Sequence, residues 1–487
     1  MSKRSFVVVV LSVVSACSAD DKFGPNVYLD TATLSPSTGP LFGHTELTVE
    51  LPDDVDGNAV VDVFLGSEMA LRGRSLSTDT HQLTFINQGS PATGPADLTL
   101  VLADGTERTF PGVYTFEPAA DPVFQRMVAF GASLTQGVQG GVPSARGLRM
   151  SPGAQLAHQT GGFLPLPLLV PDLFPAIEAH HIGPAPDCEV PGVAGFVGEA
   201  AIEVMGTLTG DDGVDFSLGR QDPDLPAWHV AVGGSKVVDL VDGPEASNFA
   251  AQFLARLVYA PRVALGDDLP DSQLDLVDAA DPSLVLCTDI AGNDVILPLT
   301  EPGPIDLSTL TPAEVVAEET AWVVERLSHT GAEVFLATLP RPSLLPLAHD
   351  KRRRLVADGA DPDEVDAVFA DVDALAAQNN AVLVTEAGRY DNVHIVDLAA
   401  VTEAVDAGGV VVGDETLGPG KLGGLISTDG VHFSDTGYAM TANAFIDTIN
   451  TTLGTTVAPI DLAEVAAHDP YHPDALRAAG LDPDTCQ

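Results

Sequence analysis

Arg126-Met127-Val128-Ala129-Phe130-Gly131-Ala132-Ser133-Leu134-Thr135-Gln136-Gly137 is the stretch on which the fold turns. Its apolar first half predicts a strand buried in a sheet. The glycine-flanked second half predicts a tight turn into a helix, so that Ser133 stands where strand becomes helix. A serine in that position has an accessible hydroxyl, and the helix start supplies backbone N–H donors beside it. Ser133 is therefore the nucleophile candidate.

A nucleophilic serine needs a base and a group to orient that base. Some 300 residues downstream, Ser427-Thr428-Asp429-Gly430-Val431-His432-Phe433-Ser434-Asp435-Thr436-Gly437-Tyr438 places an aspartate three residues before a histidine. A turn of this kind aims the Asp429 carboxylate at one imidazole nitrogen of His432 and leaves the other to take a proton.

Together these segments resemble the SGNH, or GDSL-type, hydrolases, with their Gly-Asp-Ser-Leu and Asp-x-x-His blocks. Gly131, Ser133 and Leu134 match the first block, while Ala132 stands in its aspartate slot. The third family block, Gly-x-Asn-Asp, is similar to Ala291-Gly292-Asn293-Asp294 after the apolar run Leu284-Val285-Leu286-Cys287, with the glycine displaced by one position. Two glycines compete for the second block, Gly192 in Val190-Pro191-Gly192 and Gly234 in the segment His229–Leu240; the latter resembles the family's strand, glycine turn and helix, and Gly234 is preferred. The resemblance implies an α/β fold, an SGNH-type three-layer α/β/α sandwich around a parallel sheet, and a serine ester hydrolase. Ser133, His432 and Asp429 would form its triad, and the Ser133 and Gly234 N–H groups with the Asn293 amide its oxyanion hole. Such chemistry requires no metal or organic cofactor.

The charge balance narrows the partners. The chain has 487 residues, 69 acidic and 22 basic, for a formal charge of −47. Nucleic acid is excluded as a partner on this ground, because phosphate recognition needs a basic face. The paired histidines His180-His181, and His468 with His472, lack carboxylate or cysteine partners at ligand spacing, so no zinc site is predicted.

At the N-terminus, Lys3 and Arg4 precede the apolar run Phe6–Val14, which is too short to span a bilayer but suits a signal segment. It ends in Val14-Ser15-Ala16-Cys17, which resembles a bacterial lipobox. The resemblance implies cleavage after residue 16, lipidation of Cys17 and attachment to a membrane of the bacterial cell envelope, facing the periplasm or the exterior. Cys188, Cys287 and Cys486 then remain; Cys287 lies in an apolar strand, which makes Cys188 and Cys486 the expected pair.

A polar tether at residues 17–30 leads to short alternating strands over 31–118, among them Thr45–Glu50, Val60–Leu65 and Leu98–Leu102, the last before an Asp104-Gly105 hairpin signal. They predict a small β-sandwich. Leu34-Ser35-Pro36, Thr38-Gly39-Pro40 and Gly112-Val113-Tyr114-Thr115-Phe116 make it resemble an immunoglobulin-like IPT/TIG module. Strands alternate with helices over 119–453, as an α/β layer arrangement demands, and a tail at 454–487 follows. Asp361-Pro362 is predicted to start a helix with Val365, Val368, Phe369, Val372 and Leu375 on one apolar face.

The resemblance implies as substrate an ester, either of an acyl lipid or of an acylated glycan, and the apolar run Phe163–Val170 offers a wall for an acyl chain. The alternatives are an O-acetyl esterase acting on extracellular polysaccharide and a catalytically silent surface adhesion lipoprotein. Anchoring is tested apart from catalysis: in a bacterial host, wild type should enter the detergent phase and Cys17→Ser should stay aqueous and unacylated. Equal lipid mass on both proteins would overturn the anchor.

Overall fold

The computed structural model describes residues 27–28, 32–52, 54–66, 77–78, 81–171, 173–174, 204, 207–210, 213–244, 249–264, 267–269, 271–301 and 303–483. Cys17 with its apolar run, Cys188, Gly192 and Cys486 lie outside them. The chain is mixed α/β, with a parallel sheet and mostly antiparallel ones. It divides into two compact units, one built from the residues through Ser37, Leu47–Phe85 and Pro95–Tyr114, the other from Thr38–Glu46, Ile86–Gly94 and everything from Thr115 on.

In the first unit, alternation decides which side chains turn inward. Glu46–Glu50 pairs antiparallel with Thr33–Ser35 and neighbours Gln82–Ile86, and Leu47, Val49, Leu83 and Phe85 are buried while the residues between them are not. Val60–Leu65 pairs antiparallel with Gly94–Leu102, which neighbours Glu107–Glu117. The expected hairpin lies between those last two strands. Gly105 there has φ +81, and Asp104 Oδ1 accepts the Thr106 N–H at 2.9 Å.

The second unit is organised by four parallel strands in the order Met127–Ala129, Leu284–Cys287, Glu333–Ala337, Val393–Val396. A fifth, irregular segment, Trp228–Val232, runs parallel along the free edge of the first. It is held there by Ala129 N–H to Trp228 O at 2.9 Å, Val230 N–H to Ala129 O at 2.8 Å and Val232 N–H to Gly131 O at 3.0 Å. Met127–Ala129 and Leu284–Cys287 are apolar throughout because both of their faces are covered. Met127, Ala129, Leu284, Leu286, Phe335 and Val396 point into one core with the helix Asp435–Leu453; Val128, Val285, Cys287, Val334 and Leu336 point into another with the helix Ala313–Ser328.

Counting the edge segment as second in chain order, the strands run 2-1-3-4-5. The first strand therefore lies between neighbours whose connections leave in opposite directions, and a crevice opens at the carboxyl ends there. Ser133, Gly233-Gly234 and Asn293 follow the carboxyl ends of those three segments.

The helix Pro362–Ala387 begins as expected, with Asp361 Oδ1 accepting the Asp363 N–H at 2.9 Å and Val365, Phe369 and Val372 buried. Phe163, Leu164, Leu166, Leu168 and Leu169 are core residues and do not form an accessible wall. Among the described residues no helix is long and apolar enough to cross a membrane.

His229 is completely buried on the edge segment, its Nε2 3.0 Å from Ser151 Oγ, and burial pushes its pKa down to about 4. The unfolded chain takes up a proton near pH 6.5 that the folded one refuses. Stability is thus fully present above pH 6.5 and falls as the pH drops toward 4. Urea unfolding across this window should show His229→Gln losing about 3 kcal/mol less than wild type; parallel pH profiles would show that the buried imidazole is not the cause.

Candidate active site

The turn after the first strand is built around Gly131. Its φ is +132, and a Cβ there would stand 2.7 Å from Thr135 Oγ1 and 2.9 Å from both Asp289 Oδ1 and Cys287 Sγ, so no larger residue fits. The buried Gln273 side chain clamps this glycine from both sides, accepting its N–H at 2.8 Å and donating Nε2 to its carbonyl at 3.0 Å. Asp289, at the end of the neighbouring strand, accepts Ala132 N–H at 2.9 Å, Leu134 N–H at 2.7 Å, Thr135 N–H at 3.3 Å and the Thr135 hydroxyl at 2.7 Å. Burial pushes the Asp289 carboxyl up, against the pull of those four donors. Ala132, Leu134 and Thr135 thus commit their amides to Asp289; Ser133, in their midst, does not.

Next to this turn lies Gly233-Gly234-Ser235. Gly233 N–H donates to Gln136 Oε1 at 2.9 Å, and a Cβ on Gly233 would come within 3.7 Å of Ser133 Cβ. Gly234 has φ +84, with open space where its Cβ would be. Asn293, the first residue of the helix Asn293–Thr300, donates Nδ2 to Ser235 O at 2.8 Å. An amide nitrogen carries two hydrogens, so this bond sets the orientation of the side chain and leaves it a second donor. Asp294 accepts Val237 N–H at 2.9 Å and so fixes the helix that follows the glycines.

The histidine turn is equally determined. Asp429 Oδ1 accepts Val431 N–H at 2.8 Å and His432 N–H at 2.9 Å, and Oδ2 faces His432 Nδ1 at 2.9 Å and accepts Gly141 N–H at 2.6 Å. Burial alone would raise the Asp429 pKa; the adjacent imidazole and the backbone donors outweigh it and hold the carboxyl below its usual range. Gly430 has φ +78 and lies against Leu347, whose N–H donates to Gly430 O at 3.0 Å. His432 Nε2 is engaged by no described residue.

Ser133, Asp289, Gly292, Asn293, Val431 and Phe433 line one partly open cavity. Ser133 and the amide of Asn293 therefore share a space with the two neighbours of His432 in sequence. Ser133 Oγ and His432 form no hydrogen bond among the described residues. The apolar wall comes from Val295, Ile296, Leu339, Pro342 and Leu345, and not from Phe163–Val170. Among the described residues no group of three His, Cys, Asp or Glu side chains could hold a metal ion.

Sequence reasoning missed Asp289 and Gln273. Asp289 had a usable signal, an acid two residues beyond a continuous apolar run, where strand ends in parallel sheets carry function. Gln273, 142 residues from the glycine it clamps, had none. Replacing Asp289 by Asn leaves one side-chain oxygen to accept from donors that two now share, and each buried donor left unpaired costs about 1–3 kcal/mol. Denaturant unfolding of Asp289→Asn should show a loss of about 2–4 kcal/mol; an unchanged midpoint would mean that the turn does not depend on the carboxylate.

No protein-family model matches the chain, and no curated protein matches it either; its chemistry has to be read from its own residues.

Proposed function

We propose that this chain is a serine ester hydrolase of the SGNH type, with the helices and parallel sheet of the second unit forming that family's three-layer sandwich and the preceding strands an IPT/TIG-like β-sandwich. The observation that carries the proposal is the shared cavity: a serine at a strand-to-helix turn and an oriented asparagine amide face the same space as the residues flanking an aspartate-paired histidine.

His432 Nε2 takes the proton of Ser133, and the freed oxygen attacks the ester carbonyl. Asp429 holds Nδ1 protonated and stabilises the imidazolium. The tetrahedral oxyanion is met by the N–H groups of Ser133 and Gly234 and by the second Asn293 donor. The imidazolium gives its proton to the leaving alcohol, and water activated by the same base releases the acid. Through Cys17 the enzyme is tethered by lipid to the bacterial cell envelope.

The cavity wall favours an ester with an apolar acyl group over an acetylated glycan, since Val295, Ile296, Leu339, Pro342 and Leu345 offer an acyl chain contact and a sugar no hydrogen bonds. A chain-length series of p-nitrophenyl esters tests this, with rates expected to rise from acetate to medium acyl chains. Ser133→Ala should abolish turnover and fluorophosphonate labelling, and Asn293→Ala should lower kcat by about 10²–10³-fold. Labelling that persists in Ser133→Ala would remove Ser133 from the mechanism, and a preference for acetate would favour the glycan substrate.

A further inference from the structure

Elsewhere in the second unit, a groove of about 1390 Å³ gathers basic side chains in a chain that has only 22 lysines and arginines. Arg149 comes from the last turn of the helix Ala145–Met150, His158 from that of Pro152–Thr160, and His44 from the Thr38–Glu46 segment. The Phe42 ring joins the two imidazoles, 4.7 Å from His44 and 5.9 Å, edge-on, from His158.

What distinguishes His44 and Arg149 is that each lacks a hydrogen-bond partner among the described residues. His44 Nε2 is buried without a hydrogen-bond partner among the described residues. Arg149 has neither a carboxylate nor a carbonyl partner among them, whereas its neighbour Arg146 is bonded to Asp435 and to the His468 carbonyl. The acids on the groove are engaged elsewhere or lie exposed: Asp435 is also held by Gln139 at 2.8 Å, Asp461 caps the helix Leu462–Ala466, and Glu464 is exposed. The strain registers on His44, whose pKa is pushed down to about 4, first by burial and then by the charges of Arg149 and His158. An orphaned buried nitrogen and an unpaired guanidinium are both satisfied by an anion that brings two acceptor oxygens.

We propose that this groove is a binding site for a small organic carboxylate, its two oxygens held by the Arg149 fork and the His44 imidazole and its apolar body laid against Met150 and Val465. A planar guanidinium matches a carboxylate by two parallel hydrogen bonds, which favours this class over a spherical anion. The assignment does not depend on the ester-hydrolase reading.

Calorimetric titration of the full chain with benzoate, with its neutral isostere benzamide and with inorganic phosphate tests the site. Benzoate is expected to bind saturably with one site per chain, benzamide at least tenfold more weakly, and Arg149→Gln to lose at least tenfold in benzoate affinity. Arg149 is exposed, so this variant should fold, and its unfolding midpoint without ligand checks that it does. In wild type, benzoate should raise the pKa of the His44 imidazole followed by NMR. Absent saturation, equal binding of benzamide, tighter binding of phosphate, or an Arg149→Gln protein that binds like wild type would each overturn the proposal.

Discussion

One carboxylate governs the geometry around Ser133. Asp289 gathers three backbone amides and a hydroxyl from a stretch of four residues onto its two oxygens. The demand runs in both directions. Gly131 has to be glycine because the oxygen it approaches is already occupied with those bonds, and Cys287 is shut in behind it as a buried thiol whose pKa burial pushes far up. A side chain placed to satisfy a turn thereby also decides which of its amides remains for other chemistry.

A second constraint ties the histidine turn to the cavity wall. Leu347 donates its N–H to Gly430, and Val431 packs in one apolar cluster with Val295, Leu347 and Phe369. Pro340 and Pro342 stiffen the backbone of that wall by fixing φ. The turn that carries His432 and the wall opposite Ser133 are in this sense one packed body, and a change in the wall is felt at the imidazole.

Much of this is legible in the amino-acid sequence. The continuous apolar runs Met127–Ala129 and Leu284–Cys287 announce buried parallel strands, because a two-sided burial leaves no alternation to confuse them, whereas Glu333–Ala337 and Val393–Val396 carry a charged or polar residue in the run. Ser133 and the Asp429–His432 pair stand out because local spacing predicts their placement, and Asn293 because its segment resembles the third family block. Gln273 was missed for the opposite reason, its partner being 142 residues distant, so that only the closed fold creates the contact, while Asp289, 157 residues from Ala132, carried only the signal of an acid just beyond an apolar run. The run Phe163–Val170 was misread because hydrophobicity is the same in a core as in a pocket wall. The basic groove was likewise invisible, since its members come from three separate segments of the chain.

The composition of the second unit bears on how this protein can be cut. Thr38–Glu46 and Ile86–Gly94 belong to it although they precede Thr115 by many residues. Their attachment is intimate: Gln125 Nε2 donates to the Pro91 carbonyl at 3.2 Å, and a Cβ on Gly161 would stand 3.3 Å from Pro40 Cβ. The two units are therefore interleaved along the chain and not strung in series. A gene fragment that starts after the last early strand would encode a unit lacking two of its own pieces, so recombination or truncation at that point cannot lift the larger unit out whole.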